Sequence, residues 1–167
     1  MYRTKLESSA NLQQKNSTNI ALIGNPNSGK SSLFNLLTGL HQKTGNFPGV
    51  TVEWKKGSLQ LGNNQDTTLI DFPGTYSCYP NSLDEKIVIQ QLLDVHSDTH
   101  PDAVIYVADL TKLEKHLLLV TQIIDLGFPV LLVLNMSDLA EAGGISIRKE
   151  ILEEQLHCRT VLVSSRT

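Results

Sequence analysis

Eight consecutive residues, Gly24-Asn25-Pro26-Asn27-Ser28-Gly29-Lys30-Ser31, fit the pattern G-x-x-x-x-G-K-[ST]. Chemistry of that kind binds phosphate. Glycines let the backbone come close, and consecutive N–H groups at a helix start cradle the anion. Lys30 is placed to reach β- and γ-phosphates, and the Ser31 hydroxyl, followed by Ser32, to meet Mg²⁺. A glycine-rich turn before a helix would carry some of the same letters. Here the apolar run Asn19-Ile20-Ala21-Leu22-Ile23 precedes the motif, and Leu33, Phe34, Leu36 and Leu37 follow at helical spacing. Strand, loop, helix is the context that phosphate binding requires.

Three further clusters carry chemistry. Asp71-Phe72-Pro73-Gly74 closes the apolar stretch Thr67-Thr68-Leu69-Ile70. Asp71 is predicted to hold Mg²⁺ through water, and the Gly74 N–H to meet a γ-phosphate, since glycine allows close backbone approach. Asn135-Met136-Ser137-Asp138 ends another apolar stretch. A carboxylate there can accept two hydrogen bonds from guanine N1 and N2, which adenine does not offer, so Asp138 predicts GTP over ATP. Asn135 is expected to tie this loop to the phosphate loop. Ser164-Ser165-Arg166 ends the last apolar stretch, where a serine-led turn can present a backbone N–H to guanine O6.

These clusters need a scaffold that brings them to one place. Apolar runs and helical patterns alternate from Asn19 onward. Strands are predicted at 19–24, 52–61, 66–71, 102–109, 129–134 and 160–164, and helices at 29–39, 84–96, 112–126 and 146–156. The run Leu61-Gly62-Asn63-Asn64-Gln65 is a hairpin signal, so the second and third strands pair antiparallel. Ala103-Val104-Ile105-Tyr106-Val107 and Val130-Leu131-Leu132-Val133-Leu134 are apolar throughout, as strands buried on both faces of a parallel sheet are. The expected fold is a doubly wound α/β three-layer sandwich: a six-stranded, mostly parallel sheet with one antiparallel edge strand. Ligands in such sheets bind beyond the carboxyl ends of the strands, where every cluster above falls.

The chain has 167 residues, enough for one domain, and 40% of them are hydrophobic. A net charge of −3 gives no basic surface for nucleic acid, so none is expected as a partner. No apolar run reaches the ~18 residues that span a bilayer. Two cysteines, Cys78 and Cys158, make no disulfide framework. Residues 1–18 are polar and read as a disordered arm, leaving 19–167 as the folded unit.

Four motifs in this order resemble the GTP-binding domains of the Ras-like superfamily, over residues 19–166. Thr44-Gly45-Asn46-Phe47-Pro48-Gly49-Val50-Thr51-Val52-Glu53 then falls where the first switch loop belongs. That resemblance puts Asn46, Pro48, Gly49, Val50 and Thr51 around the nucleotide, with Thr51 on Mg²⁺ and γ-phosphate. More narrowly, N-F-P-G-V-T-V-E, G-N-P-N-S-G-K-S, D-F-P-G-T-Y-S and N-M-S-D resemble the N-terminal G domain of the ferrous iron transporter family FeoB. Met136, where Ras-type proteins have lysine, fits this family. Bacterial GTPases of ribosome assembly and tRNA modification share G-x-P-N-x-G-K-S but usually read P-G-T-T-R-D in the switch, so they rank second.

The resemblance implies slow hydrolysis of GTP to GDP and phosphate with Mg²⁺. Thr75 stands where Ras-type enzymes have a water-orienting glutamine, and no arginine lies in a switch. Water placement then falls to switch amides near Gly74 and Thr75. In FeoB-like GTPases an asparagine at the position of Asn27 helps hold K⁺, with first-switch carbonyls completing its shell; otherwise Asn27 is a turn-tolerant loop residue. The family also implies a helical domain and transmembrane helices as partners, and a place on the cytoplasmic face of the bacterial inner membrane. A homo-oligomer is left open. The superfamily fold ends with a helix after its sixth strand, so a fragment of a larger protein is expected. A nucleotide-dependent binding module with negligible hydrolysis is the alternative of a different class. His96 and His100 are read as a solvated helix end, Trp54 as strand packing, and Asp84 and Glu85 as charges opposite a helix dipole.

Overall fold

The computed structural model describes residues 17–39, 42–47, 50–60 and 66–164. Chain order is β1 (Ser17–Gly24), α1 (Lys30–Thr38), β2 (Gln42–Asn46), β3 (Glu53–Gln60), β4 (Asp66–Asp71) and α2 (Leu83–Leu93). It continues with β5 (Ala103–Asp109), a 3₁₀ turn at Leu110–Lys112, α3 (Leu113–Asp125), β6 (Val130–Asn135), α4 (Ser137–Ala142), α5 (Lys149–Leu156) and β7 (Arg159–Leu162). The strands form one sheet in the order β2-β3-β4-β1-β5-β6-β7. From β4 to β7 all neighbours are parallel, while β3 runs antiparallel to both β4 and β2.

Alternation along the central strands divides the core. Ala21 and Ile23 of β1, and Val104, Tyr106 and Ala108 of β5, face the layer of α2 and α3, where Val88, Leu119, Val120 and Ile123 meet them. Leu22 and Val107 point the other way, onto Leu33 and Phe34 of α1. Each such aliphatic or aromatic side chain contributes about 1.5–3 kcal/mol by leaving water. Ile23, Leu69 and Leu134 are wholly buried, as the apolar runs required.

The fold class is the expected one, with differences at its margins. The sheet has seven strands, not six. The added β2 overlaps the start of the segment read as the first switch; Gln42-Lys43-Thr44-Gly45-Asn46 has no apolar alternation, so it is held by backbone pairing to β3 rather than by a buried face. The Trp54 indole reinforces it, donating from Nε1 to the Asn46 carbonyl at 3.1 Å. Thus β2 occupies the edge, outside the antiparallel β3. β1 begins at Ser17, two residues before the predicted strand start at Asn19, because Ser17 pairs with Asp66. Residues 1–16 and the hairpin residues 61–65 lie outside the described residues. α2 stops at Leu93, three residues short of the prediction, so His96 and His100 lie beyond the helix. α4, a six-residue helix, is too short for periodicity to reveal.

Candidate functional site

Gly24 ends β1, and Gly29 sits at φ 88° as the residue before α1, a left-handed conformation that glycine adopts without cost. Asn27 is also left-handed, at φ 64°, and its side chain is exposed. The turn between them closes with Ser28 N donating to Asn25 O at 3.3 Å. Asn25 and Ser28 are buried, while Pro26, Ser31 and Ser32 are exposed. A cleft of about 340 Å³ is lined by this loop, Ser31, Ser32 and Gly74.

β4 carries the second cluster to the loop. Its ladder onto β1 runs past Asp71: Phe72 N donates to Leu22 O at 3.2 Å, and Thr75 N to Gly24 O at 3.3 Å. Gly74 lies flat against the loop, where an added Cβ would stand 2.9–3.1 Å from Pro26 Cγ, N and Cα. Lys30 Nζ and Asp71 Oδ1 form an ion pair, with side chains only 11% and 8% exposed. The cation expected on phosphate and the carboxylate expected near Mg²⁺ are therefore paired neighbours. A second cleft, about 380 Å³, adjoins them and is lined by Lys30, Thr51, Val52, Asp71, Phe72 and Pro73 among others.

The first-switch segment is anchored by its phenylalanine. Phe47 is buried against Phe72, ring centroids 5.5 Å apart, with Phe47 N donating to Val52 O at 2.9 Å. Val50 is half-buried; Asn46 and Thr51 are exposed. Pro48 and Gly49 lie outside the described residues.

The loop expected to read the base is tied to the phosphate loop by a buried bond, Asn135 Nδ2 donating to Ser28 O at 2.9 Å. Met136 turns the chain at φ 62°, and Asp138 follows in the first turn of α4. Ser137 N donates to Val163 O at 3.1 Å, which brings the end of β7 and Ser164 beside that loop. Ser165 and Arg166 lie outside the described residues.

Thr75 departs from its expected part. It is fully buried, its N–H is engaged by Gly24 O, and its hydroxyl lies 3.2 Å from Ser77 O and 3.3 Å from Glu85 Oε1. Thr75 is not among the residues lining either cleft. The reason is Glu85, whose importance the sequence reading missed. Its carboxylate is buried and accepts from Asn81 N at 2.8 Å and Tyr76 N at 3.1 Å, closing the loop after Gly74. The Asn81 N–H is the main cause that holds its pKa below the ordinary value; burial opposes this, and Tyr76, Thr75 and Ser82 assist. A signal was present: Ser82-Leu83-Asp84-Glu85 has S-x-x-E spacing, and Ser82 Oγ does accept from Glu85 N at 3.2 Å.

Asp109 was likewise not singled out. Buried at the end of β5, it accepts from Thr111 N at 2.9 Å and Thr111 Oγ1 at 2.6 Å, fixing the entry to α3. Both cysteines are free, with burial pushing the Cys78 and Cys158 thiols up. Among the described residues no cluster of three His, Cys, Asp or Glu side chains forms a metal site, and no helix is long and apolar enough to cross a membrane.

Residues 18–167 match the family model for ferrous iron transport protein B. The chain belongs to that family. It is 45% identical over 152 residues to the Fe(2+) transporter FeoB of Legionella pneumophila (strain Lens), covering 89% of this chain and 20% of that protein. The chain thus spans about a fifth of that relative's length. Among solved structures, the GDP-bound G domain of S. thermophilus FeoB, a point mutant, superposes with TM-score 0.80 at 46% identity, covering 89% of this chain and 55% of that one. The cytosolic domain of the T. maritima FeoB transporter in a GDP form gives TM-score 0.83 at 40% identity, covering 90% of this chain and 57% of that one. The sequence resemblance to FeoB and the α/β fold it implied therefore hold. Within this FeoB-family fold, the phosphate loop, Asp71–Gly74 and the Asn135–Asp138 loop meet at one end of the sheet.

Proposed function

We propose that this domain binds GTP and hydrolyses it slowly to GDP and phosphate, as the regulatory G domain of a ferrous iron transporter at the cytoplasmic face of the membrane. The observation that carries this reading is the buried Asn135–Ser28 bond. It ties the loop that carries Asp138, the residue suited to guanine, to the phosphate loop. The GDP complexes of related FeoB domains support it.

Lys30 is the cation for the phosphates, and Asp71, beside it, the carboxylate for the metal side. Ser31 and Thr51 hydroxyls and the Asp71 carboxylate are hard oxygen donors around adjoining clefts, a set that fits Mg²⁺. Bound there, Mg²⁺ would neutralise phosphate charge. Asn27, exposed and left-handed at the loop's crest, offers a neutral oxygen that fits K⁺; K⁺ would supply the positive charge that no switch arginine brings. Asp138 reads the base, with Met136 packing beside it and Ser164 to Arg166 completing the base pocket. Gly74 approaches the γ-phosphate by its N–H. Slow turnover follows from Thr75, whose polar groups are bound within the protein. The helical and transmembrane domains of the parent protein are the partners through which a GTP-ordered switch would act.

GTP turnover in KCl against NaCl, with Asn27→Ala as control, tests the mechanism. Faster turnover in KCl that is lost in Asn27→Ala is expected. Equal rates in both salts would refute the K⁺ assignment, and absent turnover with intact GTP affinity would favour a binding module without hydrolysis.

A further inference from the structure

Among the aliphatic residues of β5 before its terminal Asp109 stands Tyr106, whose side chain is completely buried on the α3 side of the sheet. A buried phenol needs a hydrogen-bond partner, and its choice of partner is informative. Tyr106 Oη lies 2.9 Å from Asn25 Oδ1 and 3.2 Å from the carbonyl of His116. The shorter contact is to the second residue of the phosphate loop. Asn25 is itself only 3% exposed, and its Nδ2 donates to the Lys115 carbonyl at 3.3 Å. The start of the loop is therefore fastened to β5 and to the first turn of α3 by two buried side-chain bonds. Burial pushes the Tyr106 phenol far up, with the Cys78 thiolate a smaller cause, so the hydroxyl stays protonated and donates at any working pH.

The position of this fastening matters. Asn25 O closes the turn by accepting from Ser28 N at 3.3 Å. Inside that turn sits Asn27, a non-glycine at φ 64°. Asparagine tolerates this conformation, and the bonds on either side of it constrain the turn. Asn25 is one end of that constraint, and the Asn135–Ser28 bond is the other. Both fastenings are made by the protein's own side chains.

We infer that Tyr106 is a positioning residue for nucleotide binding: through the Asn25 side chain it holds the phosphate loop in its phosphate-accepting shape. The inference rests on the GTP-binding reading above. A loop that samples other shapes binds more weakly in proportion to the fraction of competent molecules. Loss of one buried hydrogen bond corresponds to about a tenfold fall in that fraction.

Fluorescently labelled GDP, titrated and then chased from the wild type, Tyr106→Phe, Asn25→Ala and the double variant, tests this. Circular dichroism and a melting curve accompany each. Tyr106→Phe is expected to bind GDP about tenfold more weakly, and the double variant no more weakly than Asn25→Ala alone. Unchanged GDP affinity in folded Tyr106→Phe, even with a lower melting temperature, would overturn the inference, as would additive effects in the double variant. If Tyr106→Phe does not fold, Asn25→Ala decides: it lacks the same bond, and wild-type affinity in it would overturn the inference. A wild-type chain that fails to bind GDP would overturn this inference and the nucleotide reading together; normal wild-type binding with an unaffected variant strikes this inference alone.

Discussion

Replacing Glu85 by glutamine isolates what the carboxylate does while keeping its size. Glu85 accepts from Asn81 N at 2.8 Å, Tyr76 N at 3.1 Å and Thr75 Oγ1 at 3.3 Å. Hydrogen bonds to a charged group are worth about 1.5–3 kcal/mol each when lost. A glutamine retains one oxygen, able to serve Tyr76 and Thr75, but turns an NH₂ donor onto the Asn81 N–H. One charge-assisted bond is lost and two are weakened, for a destabilisation of about 2–3 kcal/mol. For a domain of this size that is about 4–12 °C in melting temperature. The pH dependence gives the sharper signature. Because the folded pKa of Glu85 lies below its unfolded value, the stabilisation is complete above the unfolded value of about 4.3 and is lost as pH falls through the folded one. Glutamine does not titrate. Nucleotide-free wild type and Glu85→Gln, melted in parallel from pH 7 down to about pH 3, should therefore differ most near neutrality and converge in acid. A gap that stays constant with pH, or none at pH 7, would refute the assignment of this stabilisation to the ionised carboxylate. GTP turnover should fall in Glu85→Gln more than GDP affinity does, since the loop it clamps follows Gly74.

Gly74→Ala forces a methyl group to within 2.9–3.1 Å of Pro26, backbone atoms included, so one of the two loops must move. Steady-state GTPase assays should show about a hundredfold loss in kcat while labelled-GDP affinity changes little. Asn135→Ala removes a fully buried bond to Ser28 O; urea unfolding should show a loss of about 2 kcal/mol, accompanied by weaker GDP binding. Asp138→Asn should weaken GTP binding and erode preference for guanine over adenine nucleotides without lowering the melting temperature, read by competition titration. Unchanged guanine preference there would remove Asp138 from the base site.

Much of this molecule is legible in order along the chain. The continuous apolar runs of β5 and β6 announce strands buried on both faces, and Leu61-Gly62-Asn63-Asn64-Gln65 announces the antiparallel turn between β3 and β4. β2 was not legible: Gln42-Lys43-Thr44-Gly45-Asn46 has no side-chain pattern, and its pairing depends on finding β3 and the Trp54 indole beside it. Glu85 was half legible. Its S-x-x-E spacing indicates a helix start, but the spacing is silent about Tyr76 and Thr75, which the carboxylate also gathers.

By itself, then, the sequence determined the chemistry on offer and the scaffold for it. The phosphate-loop glycines, the strand-end Asp71 and the Asp138 expected to read the base are each marked by their own few neighbouring residues and read by local spacing. Only the tertiary structure decided which partners the surrounding groups take. Lys30 closes on Asp71, Thr75 turns inward to Glu85, and Asn25 is fastened to Tyr106, 81 positions away. These are pairings between groups distant in the chain. Each exists because burial leaves a polar atom no water to bond, so it must take whichever partner the packed sheet brings within reach.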